Sequence, residues 1–427
     1  MIHTQSKAIL ARYAKSISTS NAVSFPMVIS HGQGCWLTDV DGNRYLDMMA
    51  GIAVNTTGYA HPAVVKAVQE QAAKVQHLCF AVFASEPQIE LAERLRAHVG
   101  QDYRVFFGNS GTEGIEAAMK LARYHTKRPY FIAFTGSFHG RSMGALSLTA
   151  SISKYRKGFG NLVPGVFHAP YPQPYKYPRS AGMVLEHLEY LFKHTTPAEE
   201  VAAIFVEPIQ GEGGYIVPPD GFMQQLREIC DQHGILLVAD EVQTGVGRTG
   251  QFLACQHDNV KPDIVVLAKG LASGYPISAV MFKDHISTWG PGAHGTTFGG
   301  NPVSSAAALA TLDVLESGAM HNANVQGVYL LERMKAVQQR VPQLGDVRGR
   351  GLMIGLEFIQ GNKLENPQMR DHVQKLALER GLILLGAGSN AIRLAPPLVL
   401  TSEDAKFAAD TLEAVILEAA RLEAVLP

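Results

Sequence analysis

The chain has 427 residues, which at ~150 residues per domain predicts about three structural units or two large ones. Lys and Arg together number 37 and Asp and Glu number 38, so the formal net charge of −1 provides no electrostatic footprint for nucleic acid or an anionic membrane. Apolar residues make up 46% of the chain, which excludes disorder as a description of the whole, while 41 glycines predict many tight turns.

The N-terminal segment carries basic residues but no acid before Asp39. This bias faintly resembles a mitochondrial transit peptide, but residues Ala8 to Lys15 favour a short amphipathic helix that docks on the protein. The sequence shows neither the apolar core of a secretory signal nor an apolar run of the ~18 residues that a membrane span needs. We therefore expect a cytoplasmic protein with no membrane partner and no nucleic-acid partner.

The four cysteines are separated by long, irregular gaps: Cys35, Cys79, Cys230 and Cys255. Such spacing is typical of neither a disulfide framework nor a zinc site. We expect buried, reduced thiols and no metal site.

The first predicted elements are a hairpin and a helix. Residues Trp36 to Asp47 predict two short strands around Asp41-Gly42, a strong tight-turn signal. The small residues from Gly51 to Asn55 favour no particular element. Residues Pro62 to Val75 have helical spacing of their apolar side chains.

From Arg104 onward, short apolar runs alternate with amphipathic segments. The runs predict strands at Arg104–Phe107, Tyr130–Phe134, Val201–Val206, Ile235–Ala239, Asp263–Ala268 and Ile277–Phe282. The amphipathic segments predict helices at Thr112–His125, Gly182–Phe192 and Gly221–Gln232. Near-continuous apolar strands with helical crossovers indicate a mostly parallel sheet covered by helices on both faces, and such a sheet binds ligands at the carboxyl ends of its strands.

The rest of the chain predicts a long helical stretch, from Pro302 to Val341, followed by a smaller α+β unit. That unit has predicted strands at Leu352–Phe358 and Leu382–Leu385 and predicted helices at Pro367–Arg380 and Ser402–Leu422. The expected fold class is therefore α/β. We expect a large sheet domain at residues 61–325, a small α+β domain at residues 326–427, and an N-terminal segment, residues 1–60, that joins the small domain.

The segment from Gly108 to Gly114, Gly-Asn-Ser-Gly-Thr-Glu-Gly, runs from a predicted strand into a predicted helix. The hydroxyls of Ser110 and Thr112, the backbone at Gly111 and the helix N-terminus could together hold a phosphate. The same residues would also suit an ordinary strand–helix turn with Thr112 as the N-cap.

The segment Phe138-His-Gly-Arg141 follows another predicted strand. The ring of Phe138 could stack on a flat ligand, and Arg141 could bind a carboxylate through two hydrogen bonds. His139 taken alone is more typical of a histidine with a local structural role.

Two further predicted strands end in an acid and in a lysine. Asp240 follows buried residues, where a carboxylate would either hold a cationic ring nitrogen or form a structural ion pair. Lys269 follows four apolar residues. Desolvation would lower the pKa of its amine and make it nucleophilic, unless the side chain snorkels or is paired.

The segment from Gly245 to Gly250 matches the glycine pattern of a dinucleotide-binding site. Such a site needs its glycines directly at a strand end, opening a helix, with an acid ~20 residues further on. Here Asp240 to Thr244 intervene, no clear amphipathic helix follows, and no acid lies near residue 270. The pattern therefore does not predict a nicotinamide cofactor.

A phosphate cradle, an aromatic ring, an acid and a lysine thus follow one another on strand ends of one predicted sheet, which is the set of groups that pyridoxal phosphate needs. With these groups the chain resembles the class III (ω-amino acid) aminotransferases of fold type I, from about Ala11 to the C-terminus. The segments that carry the resemblance are residues 109–113, 138–141, 207–214, 236–250, 262–270 and 296–302.

The resemblance implies pyridoxal 5′-phosphate as the cofactor and assigns its ring contacts. Lys269 would form the Schiff base with the cofactor and later move the substrate proton. Asp240 would pair with the ring nitrogen, and Gln243 would contact the ring hydroxyl. Phe138 and Val242 would pack on the two faces of the ring.

The resemblance also assigns the phosphate contacts and a quaternary structure. Ser110, Gly111 and Thr112 would hold the phosphate. His139 would also be a cofactor-binding residue. Thr297 would reach the phosphate of a neighbouring subunit. A homodimer is therefore implied, and dimers could pair into a tetramer.

Substrate contacts follow from the same resemblance. Arg141 would bind the carboxylate of an ω-amino acid, and Arg393 would bind the α-carboxylate of 2-oxoglutarate or glutamate. Glu212 would pair with Arg393 while the amino donor lacks an α-carboxylate and release it for glutamate. Ile52 would line the same pocket.

The implied reaction is ping-pong transfer of the amino group of 4-aminobutyrate to 2-oxoglutarate, giving succinate semialdehyde and glutamate. The segment Lys154 to Val166 favours this subgroup. Acetylornithine, ornithine, lysine or β-alanine remain alternative donors, because their enzymes share the same charged residues. A pyridoxal-phosphate-dependent amino acid racemase of the same family and a non-enzymatic scaffold are further alternatives.

Overall fold

The computed structural model describes residues 4–21, 23–176 and 181–425. Its right-handed α-helices are α1 Thr4–Ser16, α2 Pro62–Lys74, α3 Glu86–Val99, α4 Gly111–Thr126, α5 Met143–Leu148, α6 Ala181–His194, α7 Phe222–His233, α8 Pro302–Val314, α9 Met320–Gln338, α10 Pro367–Glu379 and α11 Ser402–Val425.

The strands of the described residues are short. They are β1 Ile29–Gln33, β2 Trp36–Asp39, β3 Arg44–Asp47, β4 Tyr103–Gly108, β5 Tyr130–Phe134, β6 Val166–Ala169, β7 Val201–Val206, β8 Leu236–Asp240, β9 Ile264–Leu267, β10 Ser278–Lys283, β11 Leu344–Arg350, β12 Met353–Gln360, β13 Leu364–Glu365, β14 Leu382–Ile383, β15 Leu385–Ala387 and β16 Ala391–Leu394.

A seven-stranded sheet forms the centre of the larger part, in the order β4-β10-β9-β8-β7-β5-β6. Strands β5 to β9 of this sheet pair in parallel, whereas β10 is antiparallel to both β4 and β9. Every residue of β7, β8 and β9 is buried, because apolar side chains of α4 pack on one face and those of α6 and α7 pack on the other. The predicted α/β fold with a mostly parallel, helix-covered sheet is confirmed.

Two smaller sheets lie in the remainder. One has the order β11-β12-β16-β15, with antiparallel neighbours. The other has the order β1-β2-β3-β14, in which β3 of the N-terminal hairpin pairs in parallel with β14 near the C-terminus. The N-terminal hairpin is thus hydrogen-bonded to the C-terminal region of the chain.

The long helical stretch predicted from Pro302 to Val341 forms over residues 302–338, but not as one continuous α-helix. Helix α8 ends at Val314, and a π-helical turn at Leu315–Ala319 precedes α9. Gly318 lies in this turn with φ 134°, a value that glycine adopts without steric cost. The strand predicted at 382–385 is likewise divided, because β14 and β15 belong to different sheets.

The N-terminal helix forms, but it does not dock as its apolar pattern predicts. Helix α1 is anchored by Asp41, whose carboxylate accepts hydrogen bonds from the backbone N–H groups of Gln5 and Ser6. The residues from Ala8 to Lys15 are exposed or half-buried. The contact therefore lies one turn before the predicted segment.

The cysteine prediction is confirmed at three of four positions. The thiols of Cys35, Cys230 and Cys255 are buried and free, and burial raises the pKa of each. Cys79 is also free but only half-buried, so the prediction of burial is wrong there. Within the described residues, no group of three His, Cys, Asp or Glu side chains is placed to hold a metal ion. No helix in that part of the chain combines the length and apolar character of a membrane span.

Candidate active site

A cavity of about 270 Å³ lies at the carboxyl ends of the central strands. This is where parallel sheets bind their ligands. Most of the predicted cofactor residues line it, and the full lining is Gly111, Thr112, Phe138, His139, Gly140, Arg141, Glu207, Asp240, Val242, Gln243 and Lys269. The fold therefore gathers residues that are up to 158 positions apart in sequence around one space.

The predicted phosphate cradle lies between β4 and α4. Ser110 is the N-cap of α4, and its hydroxyl accepts a hydrogen bond from the backbone N–H of Glu113. The alternative with Thr112 as the cap is wrong. A Cβ atom at Gly111 would lie 2.9 Å from Cγ1 of Val242, so glycine permits the helix start to approach the wall of the cavity.

The hydroxyl of Thr112 has a partner within the protein. It lies 2.6 Å from the hydroxyl of Ser142, which in turn donates to the carboxylate of Glu116. The backbone N–H groups of Gly144 and Ala145 also donate to Glu116. These contacts join the N-terminal end of α4 to the start of α5.

Asp240 and His139 form a buried pair. Nδ1 of His139 lies 2.7 Å from Oδ2 of Asp240, and the other oxygen accepts from the backbone N–H of Val242. Burial opposes protonation of His139, but the hydrogen bond and charge of Asp240, with the charge of Glu207, raise the pKa of its imidazole. His139 thus orients Asp240 at the base of the cavity.

Glu207 lines the cavity, although the sequence did not mark it as a site residue. Its carboxylate accepts hydrogen bonds from the backbone N–H groups of Phe138 and Gly211, at 2.7 and 2.8 Å. Burial, assisted by the charge of Asp240, raises the pKa of Glu207 to about 7, although His139 opposes the shift. Glu207 directly follows the apolar run of β7, and this position at a strand end could have marked it as a candidate site residue.

Lys269 follows β9 and begins a short 3₁₀ turn, with φ 32°. Burial lowers the pKa of its ammonium below the ordinary value, although the charges of Glu212 and Asp240 oppose the shift. Within the described residues, its Nζ forms no hydrogen bond or ion pair. The side chain therefore presents a desolvated amine to the cavity, which is the state that nucleophilic attack on a carbonyl requires.

Gln243 is held by Tyr215, a second residue that the sequence analysis missed. The hydroxyl of Tyr215 donates to Oε1 of Gln243 at 2.8 Å, and both side chains are buried. This contact fixes the orientation of the amide, with its oxygen towards Tyr215. The amide nitrogen of Gln243 is the group that can donate to a ligand.

A larger cavity, of about 960 Å³, contains Glu212 and Arg393. Arg393 lies on β16, is 4% exposed, and donates from Nη1 to Oε1 of Glu212 at 2.5 Å. Burial disfavours the charged guanidinium, but the charge of Glu212 outweighs it and raises the pKa of Arg393. The predicted pairing of these two residues is present in the structure.

Arg141 has a different environment. It is exposed, and its guanidinium carbon lies 4.4 Å from the ring centroid of Tyr155 and 5.8 Å from that of Phe138. It forms no ion pair with a carboxylate of the described residues. Tyr155 also lines the larger cavity and packs edge-on against Phe138, so it stands where the two cavities adjoin.

Three predicted site residues line neither cavity. Ser110 is one of them, although its neighbour Gly111 lines the smaller cavity. Thr297 is exposed and lines neither of them. Ile52 is 36% exposed and also lines neither. Ala53, the next residue, does reach the site region, because it packs in one cluster with Tyr215.

The glycines from Gly245 to Gly250 open no helix. The residues from 241 to 250 form a run of buried turns after Asp240. Glu241 of this run accepts backbone hydrogen bonds from Ala254 and Cys255. The segment is therefore part of the support behind β8.

The groups around the smaller cavity fit pyridoxal phosphate. Backbone N–H groups at the start of α4 suit its phosphate, and the Asp240 carboxylate suits a protonated ring nitrogen. The unpaired amine of Lys269 suits its aldehyde. Gly111, where a Cβ would meet Val242, leaves room for a flat ring beside that side chain.

A sequence model of the family Aminotransferase class-III matches residues 17–416. The chain belongs to the class-III aminotransferases. Its cofactor is pyridoxal phosphate.

Relatives within the family differ in the reactions that their names state. The alanine/serine racemase of Pyrococcus horikoshii is 41% identical, with 96% of this chain and 90% of the relative aligned. The acetylornithine aminotransferase of Corynebacterium efficiens is 42% identical, covering 92% and 93%. The 4-aminobutyrate aminotransferase GabT of Escherichia coli is 38% identical, covering 94% and 95%. Identity at this level does not separate the substrates.

Solved structures agree with the fold over nearly the whole chain. An aminotransferase from Bacillus anthracis superposes with a TM-score of 0.91 at 30% identity, covering 98% of this chain and all of the other. An amine transaminase from an uncultivated Pseudomonas species, in the pyridoxal-phosphate-bound form, gives 0.88 at 33% identity, covering 95% and 98%.

Proposed function

We propose that this chain transfers the amino group of 4-aminobutyrate to 2-oxoglutarate, releasing succinate semialdehyde and glutamate. The observation that carries the proposal is the ion pair between Arg393 and Glu212 beside Lys269, together with the unpaired Arg141. One arginine is neutralised within the protein and the other is available. This difference suits a donor with one distant carboxylate.

The charges of the site explain how two substrates would alternate. While 4-aminobutyrate binds, Arg141 takes its only carboxylate and Glu212 keeps the buried Arg393 paired, so no buried charge is left without a partner. When glutamate or 2-oxoglutarate binds, its α-carboxylate takes the place of Glu212 on Arg393. Glu212 is one-fifth exposed, which lets it turn towards solvent.

The contacts above support a division of labour in the cofactor cavity. Ser110, Gly111 and Thr112 would hold the phosphate, and Phe138 and Val242 would enclose the ring. Pyridoxal phosphate, when bound, supplies an aldehyde that carries the amino group between substrates and a ring that accepts electrons.

The other residues act on protons. Asp240, oriented by His139, would keep the ring nitrogen protonated, and Gln243 would donate to the ring hydroxyl. Lys269 would hold the aldehyde of the cofactor, and its amine would move the proton of the donor carbon, a role that suits its lowered pKa.

A donor panel with 2-oxoglutarate as the acceptor tests the substrate. We expect the largest kcat/KM for 4-aminobutyrate, measured as glutamate formed, among 4-aminobutyrate, 5-aminovalerate, β-alanine, ornithine, lysine and acetylornithine. Faster turnover of acetylornithine or ornithine, with no glutamate formed from 4-aminobutyrate, would contradict the proposal and favour the alternative of an acetylornithine-type enzyme.

The second candidate is an amino acid racemase, since the alanine/serine racemase of Pyrococcus horikoshii is among the similar relatives, at 41% identity. Incubation of L-alanine or L-leucine without an oxo acid would then give the D-isomer. The proposed aminotransferase gives no net change under these conditions beyond one turnover of its bound cofactor.

We further propose that the active unit is a homodimer in which Thr297 reaches the phosphate of the partner. The proposal is supported by the exposed position of Thr297. It is also supported by large apolar side chains that are exposed to water in the single chain and that a partner subunit would cover. These are Phe298, Val82 and Phe83, at 61%, 66% and 60% exposure. Sedimentation at micromolar concentration tests the dimer. A Thr297→Val variant that keeps wild-type affinity for pyridoxal phosphate would contradict the role of Thr297.

A further inference from the structure

The segment Ala50–Ala53 is a single turn of left-handed helix. Its four residues have φ values of 48°, 63°, 70° and 60°. The backbone N–H of Ala53 donates to Met49, and that of Val54 donates to Ala50, so the turn has helical hydrogen bonds. L-residues adopt this conformation only singly as a rule, because Cβ approaches the following carbonyl oxygen. Three of the four residues are not glycine, and Ile52 is β-branched, so the turn is strained.

A buried carboxylate holds the turn in this form. Asp47 is fully buried, and its Oδ1 accepts a hydrogen bond at 2.8 Å from the backbone N–H of Met49, the residue before the turn. The backbone N–H groups of Ala50 and Gly51 lie near enough to lower the pKa of this carboxyl, although burial raises that pKa overall. The hydroxyl of Tyr59 donates to the second carboxylate oxygen at 2.5 Å. Asp47 thereby supplies the contacts that offset the strain.

The strained turn and the residues that directly follow it touch two sides of the catalytic region. On one side Ala53 packs with Tyr215, whose hydroxyl holds Gln243. On the other side, the backbone N–H and the hydroxyl of Thr57 lie 2.9 and 2.7 Å from the hydroxyl of Ser273, four residues after Lys269. Ser273 itself has φ 46° and Lys269 has φ 32°.

Strained backbone persists where the surrounding structure over-determines it, and such sites are commonly functional. We propose that Asp47 is a positioning residue of the active site, which keeps the turn Ala50–Ala53 left-handed so that Tyr215 and the lysine loop, residues 269–274, hold their places. This inference rests on the proposed function only where it is tested by the preference between amino donors. The tests by thermal unfolding and by the visible band of the cofactor do not require a particular donor.

Replacement of Ile52 tests the strain. Glycine adopts positive φ without steric cost, so Ile52→Gly should raise the midpoint of thermal unfolding of the holoenzyme by about 1–3 °C. Lys127→Gly is the matched control, because Lys127 has φ 61° at the exposed C-cap of α4, away from both cavities. Both variants should be stabilised, because each removes the steric cost of a positive φ. An unchanged or lowered midpoint in Ile52→Gly would overturn the claim of strain.

Replacement of Asp47 tests the positioning. Asp39→Asn is the matched control, because Asp39 is also buried, also clamps a turn through backbone N–H groups, and also accepts from a tyrosine, Tyr45. In the Asp47→Asn holoenzyme we expect the pH midpoint of the cofactor's visible band to shift by about 0.5 unit or more. We also expect the ratio of kcat/KM for 4-aminobutyrate over 5-aminovalerate to fall by about 3–10-fold. Asp39→Asn should change neither.

Equal behaviour of Asp47→Asn and Asp39→Asn would overturn the inference. Should Asp47→Asn fail to fold, Tyr59→Phe, compared with Tyr45→Phe, removes only the hydroxyl donor and carries the same expectations at smaller size. If the wild-type enzyme aminates 2-oxoglutarate from neither donor, the proposed function fails, while the thermal midpoint and the cofactor band still decide the inference.

Discussion

The two walls of the proposed substrate site carry an arginine each, and the two arginines differ in burial and pairing. On the closed wall, Arg393 is buried and paired with Glu212. On the open wall, Arg141 is exposed and rests on the ring of Tyr155. A buried guanidinium without a partner would be costly, so under the proposed function Arg393 would keep Glu212 until a substrate carboxylate replaced it. An exposed guanidinium stays hydrated and needs no partner before substrate binds. The difference supports the proposal that the pairing of Arg393 changes with the substrate.

Removal of the closed-wall cation should have the largest effect. In Arg393→Met, kcat/KM for 2-oxoglutarate should fall by about 10²–10³-fold, because a buried charge pair with the α-carboxylate is lost. The half-reaction with 4-aminobutyrate should change far less. Stopped-flow measurement of the cofactor absorbance gives both half-reactions separately, and an equal loss in both would break the comparison.

Removal of the masking charge should have the next largest effect. Glu212→Gln keeps the size of the side chain but leaves Arg393 positively charged without a counter-ion when 4-aminobutyrate binds. The half-reaction with 4-aminobutyrate should slow by about 10-fold or more, whereas that with glutamate should be kept or improved. Steady-state rates with each donor check this expectation, and a loss confined to glutamate would contradict the masking role.

Glu207 lines the smaller cavity, and burial raises its pKa to about 7 from an ordinary 4.5. Between these values the folded state keeps a proton that the unfolded state has lost, so stability should fall as pH rises from 4.5 to 7, by at most about 1.4 kcal/mol per pH unit. Urea unfolding of the cofactor-free protein at pH 5 and pH 7 measures this fall. It should be smaller in Glu207→Gln. An identical pH dependence in that variant would contradict the assignment.

Loss of the aromatic support on the open wall should have the smallest effect. A cation–π contact at an exposed site contributes about 0.5–1 kcal/mol, so Tyr155→Leu should raise KM for 4-aminobutyrate by about 2–5-fold with little change in kcat. Tyr155→Phe keeps the ring and is the control. A change in both variants alike would show that the hydroxyl, rather than the ring, is the important group.

The sequence predicted the parts of the site that depend on local pattern. An apolar run followed by a polar residue marks a strand end, and this pattern identified Asp240 and Lys269 without knowledge of their neighbours. Ser110 was identified by the glycine-rich segment, residues 108–114, between a predicted strand and a predicted helix. The order of these features along the chain was enough to indicate pyridoxal phosphate. The mostly parallel sheet followed from the same runs.

The parts that depend on distant contacts were not predictable in this way. Tyr215 holds Gln243, and Tyr155 supports Arg141, across loops whose residues show no period. Strand β16 was missed because the buried Arg393 interrupts its apolar pattern. The left-handed turn at Ala50–Ala53 has no signal in composition, since alanine and isoleucine ordinarily avoid positive φ.

The most direct test of the two-arginine account is a crossed measurement of half-reactions. Single-turnover rates with 4-aminobutyrate and with glutamate are measured for Arg141→Met and Arg393→Met, from the cofactor absorbance. The account predicts opposite selectivity: Arg141→Met loses mainly the reaction with 4-aminobutyrate, and Arg393→Met loses mainly the reaction with glutamate. Equal losses of both reactions in both variants would contradict it.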